Sequence, residues 1–323
     1  MTVTPNVEGF AAEDLILVGG EALYDLVLDD ADELRAHAGG GPFNTARTIG
    51  RLQQPVAYLG RVSTDRFGRT VDRMLAADGV RLDAVVHTEE PTTLALAEVD
   101  DDGVATYRFY ERGTSAPGLT AEEAVAAVPA SVGILHVGTL GITLEPMATA
   151  LEAVVEALAD DALVAIDPNC RPWVIADPAA YRRRLRRLLR RSHLVKVSEE
   201  DLAYLDPHRP PIEAGRALLD DGPAVTLLTR GPLGAVVVTG DDEIAVPAPP
   251  IDLVDTIGAG DAFGGGFLAW WRSQGLGRDE LREIDAVVEA TRFACLVAAR
   301  TCERAGASPP HLSELAPIRP TML

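Results

Sequence analysis

The segment Asp255-Thr256-Ile257-Gly258-Ala259-Gly260-Asp261-Ala262-Phe263 runs small residues directly into an apolar stretch of helical character that reaches Trp271. Successive backbone N–H groups at such a turn form an anion-binding nest, and the dipole of the helix adds to it. A carboxylate in the first turn opposes anion binding unless it has a separate task. Taking the proton of a hydroxyl that attacks a phosphoryl group is such a task, and Asp261 is placed for it. Read alone, the same residue serves equally as an acid that caps its helix. A second run, Gly39-Gly40-Gly41-Pro42-Phe43-Asn44, allows close backbone approach to a ligand, and the Asn44 amide can both donate to and accept from a hydroxyl. A plain loop with Asn44 at a helix N-terminus is the ordinary alternative. A third run, Gly19 to Asp25, leads out of an apolar segment and ends in a carboxylate that could hold ligand hydroxyls or lie in solvent.

These residues need elements to position them. Leu15–Val18, Val56–Leu59, Ile134–Val137, Leu163–Ile166, Leu194–Val197, Val225–Thr229 and Ala235–Val238 read as buried strands. Amphipathic stretches lie between them: Phe67, Val71, Met74 and Leu75 share one helical face, as do Leu185, Leu188 and Leu189. The alternation predicts a three-layer α/β/α sandwich around a mostly parallel sheet. Segments 21–35 and 92–115 break the rhythm, the second with half-exposed alternation on either side of the acidic turn Asp100-Asp101-Asp102-Gly103. They are expected to form a small β-sheet lid inserted into a single domain spanning 1–310, with 311–323 as a peripheral tail. In such sheets ligands bind beyond the carboxyl ends of the strands. That draws attention to Asp167-Pro168-Asn169, Ser198-Glu199-Glu200 and Thr229-Arg230-Gly231, each just past a strand.

The bulk numbers exclude several classes. The 323 residues carry 49 acidic against 29 basic side chains, a formal charge of -20, which disfavours nucleic acid and anionic membranes as partners. Lys196 is the single lysine, so no Walker A loop exists; His-Arg-Asp, Asp-Phe-Gly and a G-x-G-x-x-G fingerprint are also missing. The arginine run 182–191 has leucines at helical spacing and reads as a solvated helix face. Three cysteines without a C-x-x-C pair imply no disulfide framework, and the N-terminal segment has no basic region before its first apolar run. A cytoplasmic location is expected.

Taken together, the glycine run 39–44 and the segment 255–267 resemble the two signatures of the ribokinase-like, PfkB-type carbohydrate kinase family, and the likeness extends from about Leu15 to Pro309. The resemblance implies ATP-dependent transfer of a phosphoryl group to a hydroxymethyl group of a monosaccharide. It makes Asp261 the base and the amides of Gly258, Ala259 and Gly260 the anion hole. Asp25, Gly40, Gly41 and Asn44 would hold the sugar, with Arg108, Asn169 and Arg171 as further candidate contacts. Thr229, Gly231 and Gly234 match the nucleotide loop, and Cys295 the lining of the adenine pocket. Lys196-Val197-Ser198-Glu199 stands where relatives carry Asn-x-x-Glu: Glu199 would act on Mg2+ through water, Lys196 would touch phosphate directly, and Ser198 lies between them. Asp255, Ile257, Thr301, Arg304 and Gly306 match a K+ site, although Pro310 stands where relatives often have Ser. Gly20-Glu21-Ala22-Leu23 and the run 167–172 look like fructokinases and 2-keto-3-deoxygluconate kinases, the first more strongly like fructokinases. Ribose and nucleoside kinases are the alternatives, as is a non-catalytic sugar or nucleotide sensor on the same fold. Family lids sometimes pair between subunits, which makes a homodimer an expectation.

Overall fold

The computed structural model describes residues 14–28, 34–99 and 105–315; the expected acidic turn at 100–103 and the tail beyond residue 315 lie outside the described residues. In chain order the strands are β1 Leu15–Gly19, β2 Leu23–Leu28, β3 Leu34–Gly39, β4 Val56–Ser63, β5 Val85–Thr88, β6 Leu94–Val99, β7 Ala105–Tyr110, β8 Val132–Gly138, β9 Leu163–Asp167, β10 Leu194–Ser198, β11 Val225–Thr229, β12 Ala235–Val238 and β13 Glu243–Val246. The helices are α1 Gly41–Arg51, α2 Arg66–Ala77, α3 Ala121–Ala127, α4 Met147–Ala157, α5 Pro178–Leu189, α6 Glu199–Leu205, α7 Pro211–Ala217, α8 Ala259–Ser273 and α9 Ile284–Cys302.

A nine-stranded sheet has the order β13-β12-β11-β10-β9-β8-β1-β4-β5, parallel except where β12 and β13 add an antiparallel edge. Side chains alternate across it with the period of two that a strand imposes. Ile16 and Val18 face a core built with Phe43, Phe267 and Trp271 from α1 and α8. Leu15 and Leu17 face the opposite core, shared with Leu151 of α4 and Leu188 of α5. Two apolar faces demand two covering layers, which is why the chain forms a sandwich. Each fully buried Leu or Phe side chain stabilises this arrangement by about 1.5–3 kcal/mol. The arginines of α5 spread over the outside, where Arg184 and Arg187 pair with Glu152, while Leu185, Leu188 and Leu189 point inward.

The smaller sheet has the order β3-β2-β6-β7. Its first hairpin runs on to Gly39, four residues past the expected end of the lid segment, and delivers the chain straight into α1. Edge strand β5 and the β13 return were not anticipated; each is short, and β13 is half-exposed, so neither carries a continuous apolar run. Pro309 and Pro310, just before the tail, are buried, and its first residues are tied down where Arg304 pairs with Glu314 at 2.8 Å. No helix among the described residues is long and apolar enough to cross a membrane.

Successive crossovers step outward in both directions from β1 and β8, so the strand order reverses between these two neighbours. A parallel sheet opens a crevice at that point, beyond the carboxyl ends of the strands.

Candidate active site

Four chain segments meet in the crevice. The chain leaves β1 through Gly19-Gly20-Glu21 and leaves β8 through Gly138-Thr139. Helix α1 begins beside them, and α8 packs along α1 with its N-terminus at the same end. Gly41 sits at the crossing. A Cβ there would stand 2.5 Å from Thr139 Cγ2 and 3.2 Å from Asp261 Oδ1, so any side chain would push these groups apart. Gly40 has φ of 109° and no room on the side of the Glu21 carbonyl, which a Cβ would approach to 2.5 Å.

Gly258 caps α8 in the left-handed conformation, φ 76°, with no side-chain cap on the turn that follows. The Ala259 amide donates to Thr256 O at 3.2 Å, so of the three amides expected for the anion hole this one is already engaged. Asp261 does not cap its own helix. Its Oδ2 accepts from Asn44 Nδ2 at 2.9 Å, and Thr45 Oγ1 donates to the Asp261 carbonyl at 3.4 Å, tying α1 to α8. Burial pushes the Asp261 carboxyl up, against the Asn44 hydrogen bond and the charges of Lys196 and Arg171, which pull it down. A carboxylate made more basic in this way, but still held by a donor and two cations, is suited to taking a proton near neutral pH.

Asp25, on β2 of the small sheet, is pushed up to about 6, first by burial and then by Asp261, while Arg171 opposes both. These three charged groups therefore share one cleft. Asn169 follows β9 in a left-handed conformation, φ 35°, and Arg171 donates to the Cys170 carbonyl at 3.1 Å with its guanidinium 5.9 Å from the Trp173 ring. Arg108 is exposed on β7, paired in register with Leu96; no contact among the described residues joins it to the crevice.

Lys196 is buried on β10 and donates to Asp167 Oδ2 at 2.7 Å. Its Nζ lies 3.3 Å from where a Gly260 Cβ would be, directly against the first turn of α8. Burial alone would lower its pKa; Asp167, Asp201 and Asp261 outweigh that and raise it, so the ammonium stays charged. His136 on β8, one strand beyond β9, is pushed down to about 3 by burial and by Lys196, and stays neutral. Two acceptors here, Asn44 Oδ1 and Asp167 Oδ1, are buried and have no protein donor. Buried acceptors are ordinarily satisfied, so both are open to a hydroxyl or to water.

Next to this crevice, the ends of β10 and β11 and the β13 edge make a shallower shelf. The Ser198 hydroxyl is occupied by a capping box with Asp201 at the start of α6, which leaves it a structural part. Glu199 pairs with Arg230 at 2.8 Å, and Thr229 Oγ1 donates to the Val197 carbonyl at 3.3 Å. Gly231 is open and left-handed at φ 53°, whereas Gly234, φ 90°, presses against the backbone of residues 246–248. Cys295 is buried where α9 meets β13, with Sγ 3.9 Å from the Val246 carbonyl.

Among the described residues no three His, Cys, Asp or Glu side chains lie close enough to hold a metal. Glu199, half-exposed at the mouth, fits a hydrated Mg2+ delivered with a polyphosphate better than a stripped ion. At the expected K+ position the Asp255 carboxylate accepts from Ile257 N at 3.0 Å and Gly306 N at 2.8 Å, which joins the two loops. Thr301 Oγ1 is spent on the Val297 carbonyl and the Arg304 guanidinium on Glu314, so backbone carbonyls are what these positions could offer an ion.

Sequence reasoning missed Glu21, Thr139 and Asp201 as parts of this site, and singled out the run 167–169 without giving Asp167 a role. Each lies at or just after the carboxyl end of a strand, the position where the open sheet directs function, and that was the signal available.

An open helix turn with a basic carboxylate at its side is the equipment of a small-molecule kinase, where a hydroxyl must lose its proton as a phosphoryl group arrives. Comparison with known proteins takes this class to a family. Residues 13–314 match the pfkB family carbohydrate kinase model, and the chain belongs to that family. It is 32% identical to a fructokinase of Rhizobium leguminosarum bv. trifolii over 79% of each chain. It is 33% identical to one of Klebsiella pneumoniae over 81% of this chain and 85% of that protein. Among solved structures, the fructokinase of Xylella fastidiosa with bound ATP superposes with a TM-score of 0.83 at 28% identity, covering 93% of this chain and 96% of its own. The fructokinase of Vibrio cholerae O395 in its fructose, ADP and calcium ion bound form gives 0.80 at 25% identity over 91% and 94%.

Proposed function

We propose that this carbohydrate kinase is an ATP-dependent fructokinase in which Asp261 is the catalytic base. The observation that carries the reading is the pairing of Asp261 with Asn44 beside the open first turn of α8, at the point where the sheet reverses its order. The choice of fructose rests on the similarity to fructokinases. The sugar lies between the small sheet and the strand ends, its hydroxyls shared by Asp25, Asn44 and the backbone of Gly40 and Gly41. Asn44 holds one oxygen of Asp261, which leaves the other for the proton of the acceptor hydroxymethyl group. Asp261 takes the hydroxyl proton as the oxygen attacks phosphorus in line. Lys196 and the unengaged amides of the turn hold the charge of the transferring group. ATP extends over the shelf from Glu199 and Thr229 toward Gly231, Gly234 and Cys295. Glu199 would hold Mg2+ through water, and the backbone carbonyls of Asp255, Ile257, Thr301, Arg304 and Gly306 would hold K+; both ions would supply positive charge against the phosphates. Closure of the small sheet excludes water. Its exposed edge strand β3 also offers a pairing surface for a second subunit.

A 2-keto-3-deoxy sugar acid is the second reading, because the Arg171 cation faces the cleft that holds Asp25 and Asp261. The test is ADP release from Mg-ATP with K+ present, across fructose, ribose, 2-keto-3-deoxygluconate, tagatose, adenosine and no acceptor. Turnover dependent on fructose supports the proposal. Turnover with the sugar acid alone keeps the mechanism and replaces the substrate. ATP binding with no turnover on any acceptor would favour a sensor.

A further inference from the structure

Glu21 is almost completely buried, 2% exposed, at the floor of the crevice. Its Oε1 accepts from the Gly41 amide at 3.2 Å and from the Thr139 hydroxyl, and its Oε2 accepts from the Gly141 amide at 3.0 Å. These donors come from two unrelated crossovers, the one entering α1 and the one leaving β8. The preceding residue is fixed as well, since the buried Tyr58 hydroxyl donates to the Gly20 carbonyl at 2.7 Å. Thr139 has φ of 54°, a left-handed conformation that a β-branched residue adopts only when its surroundings impose it. Its hydroxyl is held by the Glu21 carboxylate. The point where a Gly41 Cβ would stand is 2.5 Å from the Thr139 methyl and 3.2 Å from Asp261 Oδ1, so Gly41, Thr139 and the base are packed around one another.

We propose that Glu21 is a positioning residue for phosphoryl transfer: its two carboxylate oxygens hold Gly41 and the strained Thr139 at the separation that leaves Asp261 free to face the acceptor hydroxyl. The inference rests on reading Asp261 as the base. Three donors converge on the group, so it must accept at both ends. An amide of the same shape cannot, because its NH2 would face either the Gly141 amide or the Gly41 amide and Thr139. Burial, with a further contribution from Asp261, pushes Glu21 up to about 7, against the hydrogen bonds that pull it down. A buried acid shifted upward works against the stability of the fold when ionised, and a position that keeps one has a use for it.

The experiment compares Glu21→Gln, Thr139→Val, Thr139→Ser and Asp261→Asn by steady-state kinetics in both substrates and by thermal melting. In Glu21→Gln, kcat is expected to fall about 10- to 100-fold, as displacements of about 1 Å do, with KM for ATP changed by less than about 2-fold. The melting temperature should not drop in proportion, because a buried charge has been removed. Thr139→Val, which keeps the shape and loses the hydroxyl, should follow Glu21→Gln, and Thr139→Ser should retain about tenfold more turnover than Thr139→Val. A Glu21→Gln enzyme with wild-type kcat overturns the inference. So does one whose kcat, ATP affinity and melting temperature fall together, which marks a merely structural role. Should Glu21→Gln not fold, equal turnover of the two Thr139 variants overturns it. An inactive Asp261→Asn beside a fully active Glu21→Gln removes only this inference, whereas an active Asp261→Asn removes the reading of the site beneath it.

Discussion

Replacing Asp261 by Asn removes the proposed proton acceptor and little else. The variant side chain still presents an oxygen to Asn44 Nδ2, so the bond of 2.9 Å between α1 and α8 can persist. The open first turn of α8 and Lys196 remain, so the enzyme keeps part of its charge stabilisation. The loss should therefore approximate that of a general base alone, about 10²- to 10⁴-fold in kcat, with KM for ATP nearly unchanged. Stability should move the other way. Burial raises the folded pKa of Asp261 above its ordinary 3.8. The folded protein then holds this proton more tightly than the unfolded chain does, so stability declines as pH climbs from the ordinary toward the raised value. Above that window the ionised carboxylate is a net burden. Asn carries no such burden, and at pH 8 the variant should melt at or above the wild-type temperature, provided Asp167 alone keeps Lys196 paired at 2.7 Å. Coupled ADP release and thermal scanning on one preparation test both halves. A kcat within about tenfold of wild type would refute the base assignment. A large loss of kcat accompanied by a fall in melting temperature would mean that Asp261 supports the scaffold instead.

Gly41→Ala should reduce kcat by at least about tenfold, because its Cβ would meet Thr139 Cγ2 at 2.5 Å and Asp261 Oδ1 at 3.2 Å; Gly240→Ala, with nothing within 4 Å, is the neutral control, and equal activity of the two would contradict the packing argument. Lys196→Met leaves Asp167 buried without its cation and should cost about 3–5 kcal/mol in urea unfolding, much of which Asp167→Asn in the same chain should restore. A double variant no more stable than the single would show that the pair is not coupled. The kcat/KM for sugar should decline as pH falls through the Asp25 value of about 6, since protonation removes an acceptor. Arg171 lowers that value, so Arg171→Gln should move the acidic limb to higher pH, and an unmoved limb would separate Arg171 from the cleft.

The central strands were legible because a strand covered on both faces must be a continuous apolar run, and Leu15–Val18, Leu163–Ile166 and Ala235–Val238 are such runs. Strands β5 and β13 were not, because a short edge strand buries too little to leave that mark. At the site, Gly41 and Gly258 announced themselves because only glycine tolerates the approach or the backbone conformation found there. Glu21 is silent by the same logic: an acid next to a strand reads as a solvated residue, and nothing in its type says that it will be buried. Ser198 shows the converse. Its place after β10 suggested a ligand contact, yet Ser at a strand-to-helix junction followed three residues later by an acid is also the pattern of a capping box, and the structure uses it as one.

The electrostatics of the crevice explain why a chain with 28 arginines keeps its single lysine on β10. Glu21, Asp25, Asp167 and Asp261 are all pushed upward by burial, so the crevice is rich in carboxylates before any nucleotide arrives. A polyphosphate approaching it needs a fixed cation, and the space for one is bounded by Asp167 on one side and Gly260 on the other. An arginine fork would be drawn into a two-point grip on Asp167, turning its donors away from the turn. An ammonium has three donors on one nitrogen. It can give one to Asp167 and still aim another at an oxygen held by the turn, which reconciles the buried ion pair with the proposed role at the transferring phosphate. Gly260 completes the arrangement, because a Cβ 3.3 Å from Nζ would stand in the path that such a hydrogen bond must follow.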